Sequence, residues 1–165
     1  MNTHLTARGG KAQPRAMNAL NRYADPVYCI TRLIVGLLLA CHGMQLVVGM
    51  FGGMPGSERM FIQIGGWIQL VGGFLFAFGL LTRLTAFIGS GMFAVAYFML
   101  HVAPATTRMA KFIPIGSAGP EYSNHGELAI VYCWFLFFAF FYGPGRWSID
   151  ALFGRRSTQA GTLKG

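Results

Sequence analysis

One run of apolar residues limits what this chain can fold into. Between Phe61 and Ala103 the only residue with a formal charge is Arg83. A soluble globule of 165 residues has no interior that could cover so long an apolar segment. Soluble domains also carry about a quarter charged residues, whereas charged residues make up 11% of this chain. Both observations predict a protein that lies in a lipid bilayer.

Four segments are long and apolar enough to cross that bilayer, because a hydrocarbon core of about 30 Å needs a helix of ~20 residues. These spans lie at about residues 27–48, 61–81, 84–103 and 125–142. The predicted fold class is therefore all-α: an integral membrane protein in which residues 26–143 form a four-transmembrane-helix bundle.

Basic residues are distributed unevenly over the two sides that alternating spans create. The larger group is Arg8, Lys11, Arg15, Arg22, Arg83, Arg146, Arg155, Arg156 and Lys164, and the smaller group is Arg59, Arg108 and Lys111. Because Lys and Arg collect in cytoplasmic connections, both termini of this multi-pass protein are predicted to be cytoplasmic. The net charge of +8 then reflects topology and attraction to anionic lipid, and nucleic acid is not expected as a partner.

The two ends of the chain are predicted to stay on the cytoplasmic side. Residues 1–25 form a basic tail, for which a short interfacial helix ended before Pro26 is one interpretation and a plain solvated tail is the other. Residues 144–165 are predicted to form a short helix, with Ser148 as its N-cap, followed by a second basic tail.

Two connections between the spans have distinctive sequences. Leu81–Arg83 leaves room only for a tight turn, with Thr82 as the candidate N-cap, so the second and third spans are predicted to form an antiparallel hairpin. Residues 104–123, in contrast, form a long connection that contains Pro104, Pro114 and Pro120. Connections of that length are often functional lids, and a mobile surface loop is the equal alternative.

Small residues form stripes that predict where the spans pack against one another. In the second span Gly65, Gly72 and Gly79 recur every seven residues, and Gly66 and Gly73 follow one position later. Repeated glycine on one stripe lets two helix backbones approach closely in lipid, where van der Waals contact is a main attractive force.

The first span carries a matching stripe, made of Gly36, Ala40 and Gly43. Gln69 belongs to the glycine stripe of the second span, so its side chain is predicted to face protein rather than lipid. The two stripes together predict a compact bundle.

Arg32 is a charged residue in an otherwise apolar part of the first span. It lies about five residues from the start of the span, close enough for its head group to snorkel to the interface. At 100° per residue it also falls within about 40° of Gly36 and Gly43, on the face that packs against other helices. A charge that faces lipid at the helix centre costs on the order of 2.5–3.5 kcal/mol. We therefore expect Arg32 to meet backbone carbonyls or a carboxylate such as Asp150.

Titratable residues collect at the opposite end of the bundle. With both termini inside, the outer end holds His42, His101, His125, Glu121 and Glu127. Each of them also has a structural interpretation. Glu127 stands at capping-box distance from Asn124 and suits a helix N-terminus, and histidine near a membrane interface is often simply amphipathic.

This group of side chains suits the chemistry of a quinone. A quinone carbonyl needs a hydrogen-bond donor such as His or Arg, and its reduction needs nearby proton carriers, which imidazole and carboxylate supply. His42 and Glu127 are therefore the candidate catalytic residues. The candidate ligand-binding residues are Arg32, Gln69, His101, His125 and Tyr132. The histidine spacings match no recognised zinc-ligand pattern, so no metal site is predicted.

Four stretches of the sequence resemble the DoxX family of small bacterial membrane proteins, in the family's order. They are "TRLIVGLLLACHGMQ" at 31–45, "GGFLFAFGLLTRLTA" at 72–86, "NHGELAIVY" at 124–132 and "GPGRWSID" at 143–150. The resemblance implies a four-span bundle in the bacterial inner membrane, in respiratory or detoxification surroundings. Relatives in that family are linked to thiosulfate:quinone oxidoreductase, to hydroquinone handling and to membrane oxidoreductase assemblies.

The resemblance also assigns positions in this chain to the polar landmarks of the family. The matching residues are Arg32, His42, Gly43, Glu127, Tyr132 and Asp150. The family often has Lys two residues after its His-Gly pair, and here that place is taken by Gln45. The missing positive charge weakens the expectation of an anionic substrate.

Three functions fit the sequence. The first is a redox-associated membrane subunit that binds a quinone or a similar small apolar ligand and works with a protein partner that carries the electrons. The second is a non-catalytic structural or assembly subunit of a larger membrane complex, and the third is a small-solute carrier. The bilayer surrounds the protein in each case, an oligomer is compatible with all of them, and catalysis by this chain alone is not expected.

Overall fold

The fold is entirely helical over the residues that the structure, a computed structural model, describes. These are residues 15–116 and 119–154, with side chains described from Leu20 onward. In chain order the helices are α1 (Arg15–Val47), α2 (Met60–Phe78), α3 (Thr82–Ala96), α4 (Arg108–Phe112) and α5 (Glu127–Tyr142), followed by a last helix, α6, at residues 149–154. The predicted outer parts of both basic tails, residues 1–14 and 155–165, lie outside the described residues.

Three stretches of helix within these ranges are long and apolar enough to cross a membrane, as judged by length and composition. They are Leu20–Val47, Met60–Phe78 and Thr82–Val102. The last of these includes α3 and a π-helical extension, Tyr97–Val102. Helix α5 is equally apolar but has only 16 residues, about 24 Å at 1.5 Å per residue. The predicted all-helical architecture is therefore confirmed, with three span candidates of full length and a shorter fourth apolar helix.

Helix α1 does not end before Pro26, so the prediction of a separate short helix there was wrong. Proline inside a helix removes one backbone hydrogen bond, yet α1 continues through it. Contacts with the segment after α5 hold both sides of this position. The Asp25 carboxylate accepts a hydrogen bond from the Arg146 backbone N–H at 3.0 Å, and the Tyr28 hydroxyl donates to the Gly143 carbonyl at 2.7 Å.

Helices α1 and α2 pack at backbone distance. A Cβ atom on Gly36 would lie 2.5 Å from the Ala77 nitrogen, and one on Gly43 would lie 2.3 Å from the Leu70 nitrogen. From the other side, a Cβ on Gly73 would lie 2.6 Å from the Ala40 nitrogen. The predicted stripe on the first span is therefore the contact surface, and glycine is required there for lack of space.

The stripe predicted on the second span was correct at Gly79, which lies against the Arg32 side chain, but wrong at Gly65 and Gly72. Gly66 and Gly73 face α1, whereas nothing lies within 4 Å of a Cβ built on Gly72, and Gly65 meets only the Met92 sulfur at 3.8 Å. The two stripes are one residue apart, which is 100° around the helix. Glycine spacing alone does not say which of them meets the neighbour.

Helices α3 and α5 form a second close pair, and Leu136 fills the space above Gly89. A Cβ on Gly89 would lie 2.9 Å from the Leu136 Cδ1 atom. One turn further, the rings of Phe93 and Tyr132 stack with their centroids 5.2 Å apart. The four long helices are thus arranged as two pairs, α1 with α2 and α3 with α5, and α2 is joined to α3 by a tight turn.

That turn has the predicted hairpin geometry but not the predicted cap. Gly79 ends α2 with φ of 69° and Leu81 precedes α3 with φ of 51°. Thr82 is the first residue of α3 rather than its N-cap. The cap is Asp150, whose carboxylate accepts from the backbone N–H groups of Leu81 and Thr82, each at 2.9 Å. A cap from a residue so distant in sequence is invisible to local sequence patterns.

The glycine contact between α1 and α2 predicts different outcomes for two neighbouring substitutions. Gly73→Ala places a methyl group against the α1 backbone, so we expect it to destabilise the fold by about 1–3 kcal/mol, as overpacking does. Gly72→Ala, the matched control, points into open space and should leave stability unchanged. Thermal unfolding in detergent measures both. Equal midpoints for the two variants would show that the close contact is absent.

Candidate functional site

The polar residues within the helices separate into two groups at opposite ends of the molecule. One group surrounds Arg32, where α1 begins its apolar part and where α2 and α5 end. The other surrounds His42, near the end of α1 and the start of α2 and α5. The first group is densely hydrogen-bonded within the protein, whereas the second lines a cleft.

Arg32 is buried, with 2% of its surface exposed, and it binds backbone carbonyls. Its Nη2 donates to the Trp147 carbonyl at 2.8 Å and to the Ala77 carbonyl at 3.4 Å, and its Nη1 donates to the Pro144 carbonyl. Ala77 lies in the last turn of α2, and Pro144 follows the end of α5. The cation thus neutralises the negative ends of two helices, which matches the expectation of carbonyl partners.

Asp150 does not pair with Arg32, because its carboxylate is used at the start of α3. Besides the two backbone N–H groups of the turn, it accepts the Thr82 hydroxyl at 2.9 Å. A carboxylate there also favours the positive end of the helix dipole. The backbone N–H of Asp150 donates to the Gly79 carbonyl at 2.9 Å, so the residue is fixed through both its main chain and its side chain.

Residues 143–150, here called the clasp, connect both helix pairs through these contacts. Gly79 leaves the necessary space, since a Cβ atom there would lie 2.5 Å from the Arg32 Nη1 and 2.5 Å from the Ser148 Cβ. The Ser148 hydroxyl accepts from the Ala151 N–H at 3.1 Å, so its predicted role as an N-cap is confirmed. The clasp closes the Arg32 end of the molecule.

At the other end, a cleft of about 1330 Å³ lies between the two helix pairs. Its wall is mainly apolar and includes Leu, Ile, Phe, Met and Val residues of α1, α2 and α3, several of which, including Ile64 and Phe87, are exposed. Its polar residues are His42, Gln45, Arg59, Gln69, His101 and His125, and Tyr132 also lines it. Every candidate ligand-binding residue except Arg32 is therefore found on its wall.

Two of the cleft histidines are held by backbone carbonyls. The Nδ1 atom of His101 lies 2.9 Å from the Asn124 carbonyl oxygen, and that of His125 lies 2.8 Å from the Gly116 carbonyl oxygen. Because a carbonyl only accepts, both Nδ1 atoms carry the hydrogen when the rings are neutral. This tautomer leaves the lone pair of each Nε2 for another partner.

The backbone at His125 is strained, which distinguishes it from an ordinary loop residue. Its φ is 56°, a left-handed conformation that non-glycine residues rarely adopt. Side chains of the same loop hold it: the Ser123 hydroxyl accepts the His125 N–H at 3.1 Å, and the Asn124 side chain accepts the Gly126 N–H at 2.9 Å. Strain held in this way is frequent at binding sites. Asn124, which organises this loop, has no local sequence signal beyond being polar beside a span.

Glu127 does not join His42, so the predicted catalytic pair is not brought together. The cleft is lined by His125, Leu128, Ala129 and Tyr132, whose spacing of three, four and seven residues marks one helix face. Glu127 lies off that face. It is exposed, and a Cβ on Gly116 would lie 2.9 Å from its Oε1.

The capping-box interpretation of Glu127 was also wrong. The N-cap of α5 is Gly126, without a side-chain cap, and Asn124 instead bonds the backbone of Gly126. Glu121 likewise stays outside the cleft, exposed in the loop, where its carbonyl accepts the Thr107 hydroxyl at 2.6 Å. The two acids predicted at this end therefore face away from the cleft, and the histidines remain.

The described residues include no group of three or more His, Cys, Asp or Glu side chains placed to hold a metal ion. The polar groups of the cleft are imidazoles, amides, one guanidinium, the Tyr132 hydroxyl and the Cys41 thiol on an otherwise apolar wall. Such a wall buries an apolar ligand, and a few placed polar groups orient it.

Comparison with known proteins finds two similar bacterial chains. An uncharacterized protein of Haemophilus influenzae is 32% identical over 144 residues, which cover 85% of this chain and 100% of that protein. An uncharacterized membrane protein of Mycobacterium tuberculosis is 28% identical over 167 residues, covering 92% of this chain and 96% of that protein. No protein-family model matches the chain. No solved structure matches it either.

The second relative and the span candidates together identify the chain as a multi-pass membrane protein. The similarity extends over the whole length of the first relative and 96% of the second. Contact with a lipid bilayer follows, because the apolar outer surfaces of α1, α2 and α3 need an apolar solvent.

The clasp yields a prediction on stability. Asp150→Ala removes the acceptor of three hydrogen bonds at the start of α3, so we expect a loss of about 1–3 kcal/mol. Glu58→Ala is the control, because Glu58 is an exposed acid in the loop before α2. Thermal unfolding in detergent is the measurement. An unchanged midpoint for Asp150→Ala would mean that the clasp does not hold the turn.

Proposed function

The chain belongs to the same bacterial family as the Haemophilus influenzae protein, and we propose that it is a DoxX-like accessory subunit of a membrane oxidoreductase. In this proposal it crosses the inner membrane four times, with both termini in the cytoplasm. It binds a quinone, or a similar small apolar ligand, in the cleft between its two helix pairs. The electrons come from a protein partner, since no sequence motif of this chain indicates a redox cofactor.

The distribution of charge supports this topology. Arg22, Arg83 and Arg146 lie at the clasp end, whereas Arg59, Arg108 and Lys111 lie at the cleft end. Adding the basic residues of both tails makes the clasp end the more positive, and therefore the cytoplasmic, side. Helix α5 then runs inward as the fourth span, and its length of about 24 Å requires slight thinning of the bilayer or support from its neighbours.

The size and the apolar wall of the cleft support the proposal that the ligand is a quinone or a similar apolar molecule. Its volume of about 1330 Å³ exceeds that of most drug-sized sites, which measure about 300–1,000 Å³. Its wall is mainly apolar, and residues of that wall such as Ile64 and Phe87 are exposed. In this proposal a ligand dissolved in the membrane enters the cleft between the helix pairs, and its chain has apolar surface to cover.

The polar groups of the cleft suit the head of a quinone. Reduction of a quinone to a quinol adds two electrons and two protons. In this proposal the electrons come from the partner, and the protons pass through the imidazoles, whose ring nitrogens can both donate and accept a proton. His42 alone is the main candidate for proton transfer, because Glu127 does not line the cleft. His101 and His125 line the same cleft. Gln69 and Arg59 offer further hydrogen bonds to the head group.

A structural or assembly subunit is the second candidate, and the clasp favours it. The clasp is densely hydrogen-bonded, and it fixes the relative positions of three helices without any ligand. Under this interpretation the cleft is filled by lipid chains, and the oxidoreductase partner binds the outside of the bundle.

The amount of quinone that stays bound to the extracted protein distinguishes a ligand-binding subunit from a purely structural one. Full-length protein extracted in a mild detergent should retain quinone, detected by solvent extraction and mass spectrometry. His42→Leu removes a polar group from the cleft wall, so we expect about tenfold less retained quinone, as loss of one hydrogen bond to a buried group predicts. Glu121→Gln, an exposed change outside the cleft, is the control. Equal quinone in wild type and His42→Leu, at the level of detergent alone, would favour the structural role.

A further inference from the structure

Helix α4, in the long connection between α3 and α5, has a clear inner side and a clear outer side. Its exposed residues are Arg108, Met109, Lys111 and Phe112, whereas Ala110 is completely buried. At 100° per residue, the exposed residues are spread around the point directly opposite Ala110. The helix therefore packs on the protein through Ala110 and turns its other residues outward.

The outer side of α4 is divided into an apolar half and a basic half. Met109 and Phe112 are neighbours on the apolar half, with 57% and 79% of their surfaces exposed. Arg108 and Lys111 form the basic half. This division is the pattern of a helix that lies in the plane of a membrane interface, with its apolar side in the acyl boundary and its basic side among the head groups.

The two cations of α4 have no counter-ion in the protein. Within the part of the chain that the structure describes, neither side chain forms a hydrogen bond or an ion pair. The acids at this end of the molecule are Glu58, Glu121 and Glu127, which are exposed on other segments. Exposed cations beside apolar side chains complement a surface that presents anions above hydrocarbon.

Hydrogen bonds to the segment that begins α5 fix the direction in which the outer side points. The Asn124 side chain donates to the Lys111 carbonyl at 3.3 Å, and the Asn124 backbone N–H donates to the Ile113 carbonyl at 2.9 Å. The Glu127 backbone N–H donates to the Pro114 carbonyl at 3.1 Å. The orientation of α4 thus follows from the fold.

The position of α4 along the bundle places its outer side at the membrane surface. The span candidate Thr82–Val102 ends shortly before α4 begins. The last part of that span exposes Phe98, Met99 and Leu100, so the apolar surface that contacts the bilayer extends almost to α4. Tyr122, further along the same connection, is exposed as well, and tyrosine is enriched at the level of the head groups.

We propose that the outer side of α4 is a binding surface for anionic phospholipid of the bilayer that the protein itself spans. Met109 and Phe112 insert among the acyl chains close to the head groups, and Arg108 and Lys111 bind lipid phosphates. Under this proposal the connection at residues 104–123 acts as an anchor at the membrane surface. The proposal needs only the contact with the bilayer and does not depend on the ligand of the cleft.

Photochemical crosslinking identifies what covers this surface. Benzoylphenylalanine is incorporated in place of Phe112 in the full chain, which is reconstituted into vesicles of equal parts phosphatidylcholine and phosphatidylglycerol and irradiated. We expect intact-mass spectrometry to show phospholipid adducts, because position 112 lies among acyl chains. Position 109 on the same half serves if the first variant does not fold. The control is benzoylphenylalanine in place of Glu58, which should give several times less adduct because this exposed acid lies outside the apolar half of α4.

Variants of the basic half test the selection of anionic lipid. With both cations present, we expect adducts of phosphatidylglycerol to exceed those of phosphatidylcholine about fivefold, the effect of a basic residue near an anionic surface. Arg108→Gln combined with Lys111→Gln should lower this ratio to about one while adducts still form, because the apolar half is unchanged. Arg22→Gln, which removes an exposed cation at the clasp end, is the control and should keep the ratio.

Three results would overturn the proposal. A crosslinked dimer would show that a second copy of the chain covers α4. The absence of adducts at positions 112 and 109 would place the outer side of α4 in water. Adducts in proportion to the lipid mixture would show contact with the bilayer without selection of a head group. Each result is independent of the quinone proposal, because the vesicles contain no quinone.

Discussion

The hydrogen bonding of Arg32 is the interaction on which the rest of the structure depends. A guanidinium inside an apolar bundle has no water to solvate it, so its donors must find acceptors in the protein. The acceptors it finds are carbonyls at the end of α2 and in the clasp. Because these carbonyls come from parts of the chain far apart in sequence, one buried cation brings α1, α2 and the segment after α5 to a single point.

The clasp holds the two helix pairs together at one end of the bundle, and the other end is arranged differently. Each helix pair is internally close, with glycine contacts between α1 and α2 and the Leu136 contact between α3 and α5. The pairs are joined to each other mainly by the turn after α2 and by the clasp. Nothing comparable joins them at the His42 end of the described chain, and the cleft occupies that space. The position of the cleft is thus a consequence of where the polar contacts are concentrated.

Sequence reasoning succeeded where a property is local and failed where it depends on a neighbour. The all-helical fold, the hairpin after α2 and the cap at Ser148 follow from composition, length and short motifs. The need of Arg32 for carbonyls followed from its position on the glycine face. The choice between Gly72 and Gly73 depended on α1, and the placement of Glu127 depended on which face of α5 meets the cleft. No local sequence pattern determines either of these orientations.

Arg32 and Gln69 show the cost of placing polar side chains inside apolar helices, and the described protein meets that cost only in part for both. Both are buried polar side chains in long apolar helices, where an unmet hydrogen bond is expensive. The protein supplies three acceptors to the Nη atoms of Arg32 and thereby fixes its own fold, but the buried Arg32 Nε has no partner among the described residues. It likewise supplies no described donor to the Gln69 oxygen. Because each of these residues keeps one buried polar atom without a described partner, an unmet hydrogen bond does not by itself distinguish a binding residue from a structural one.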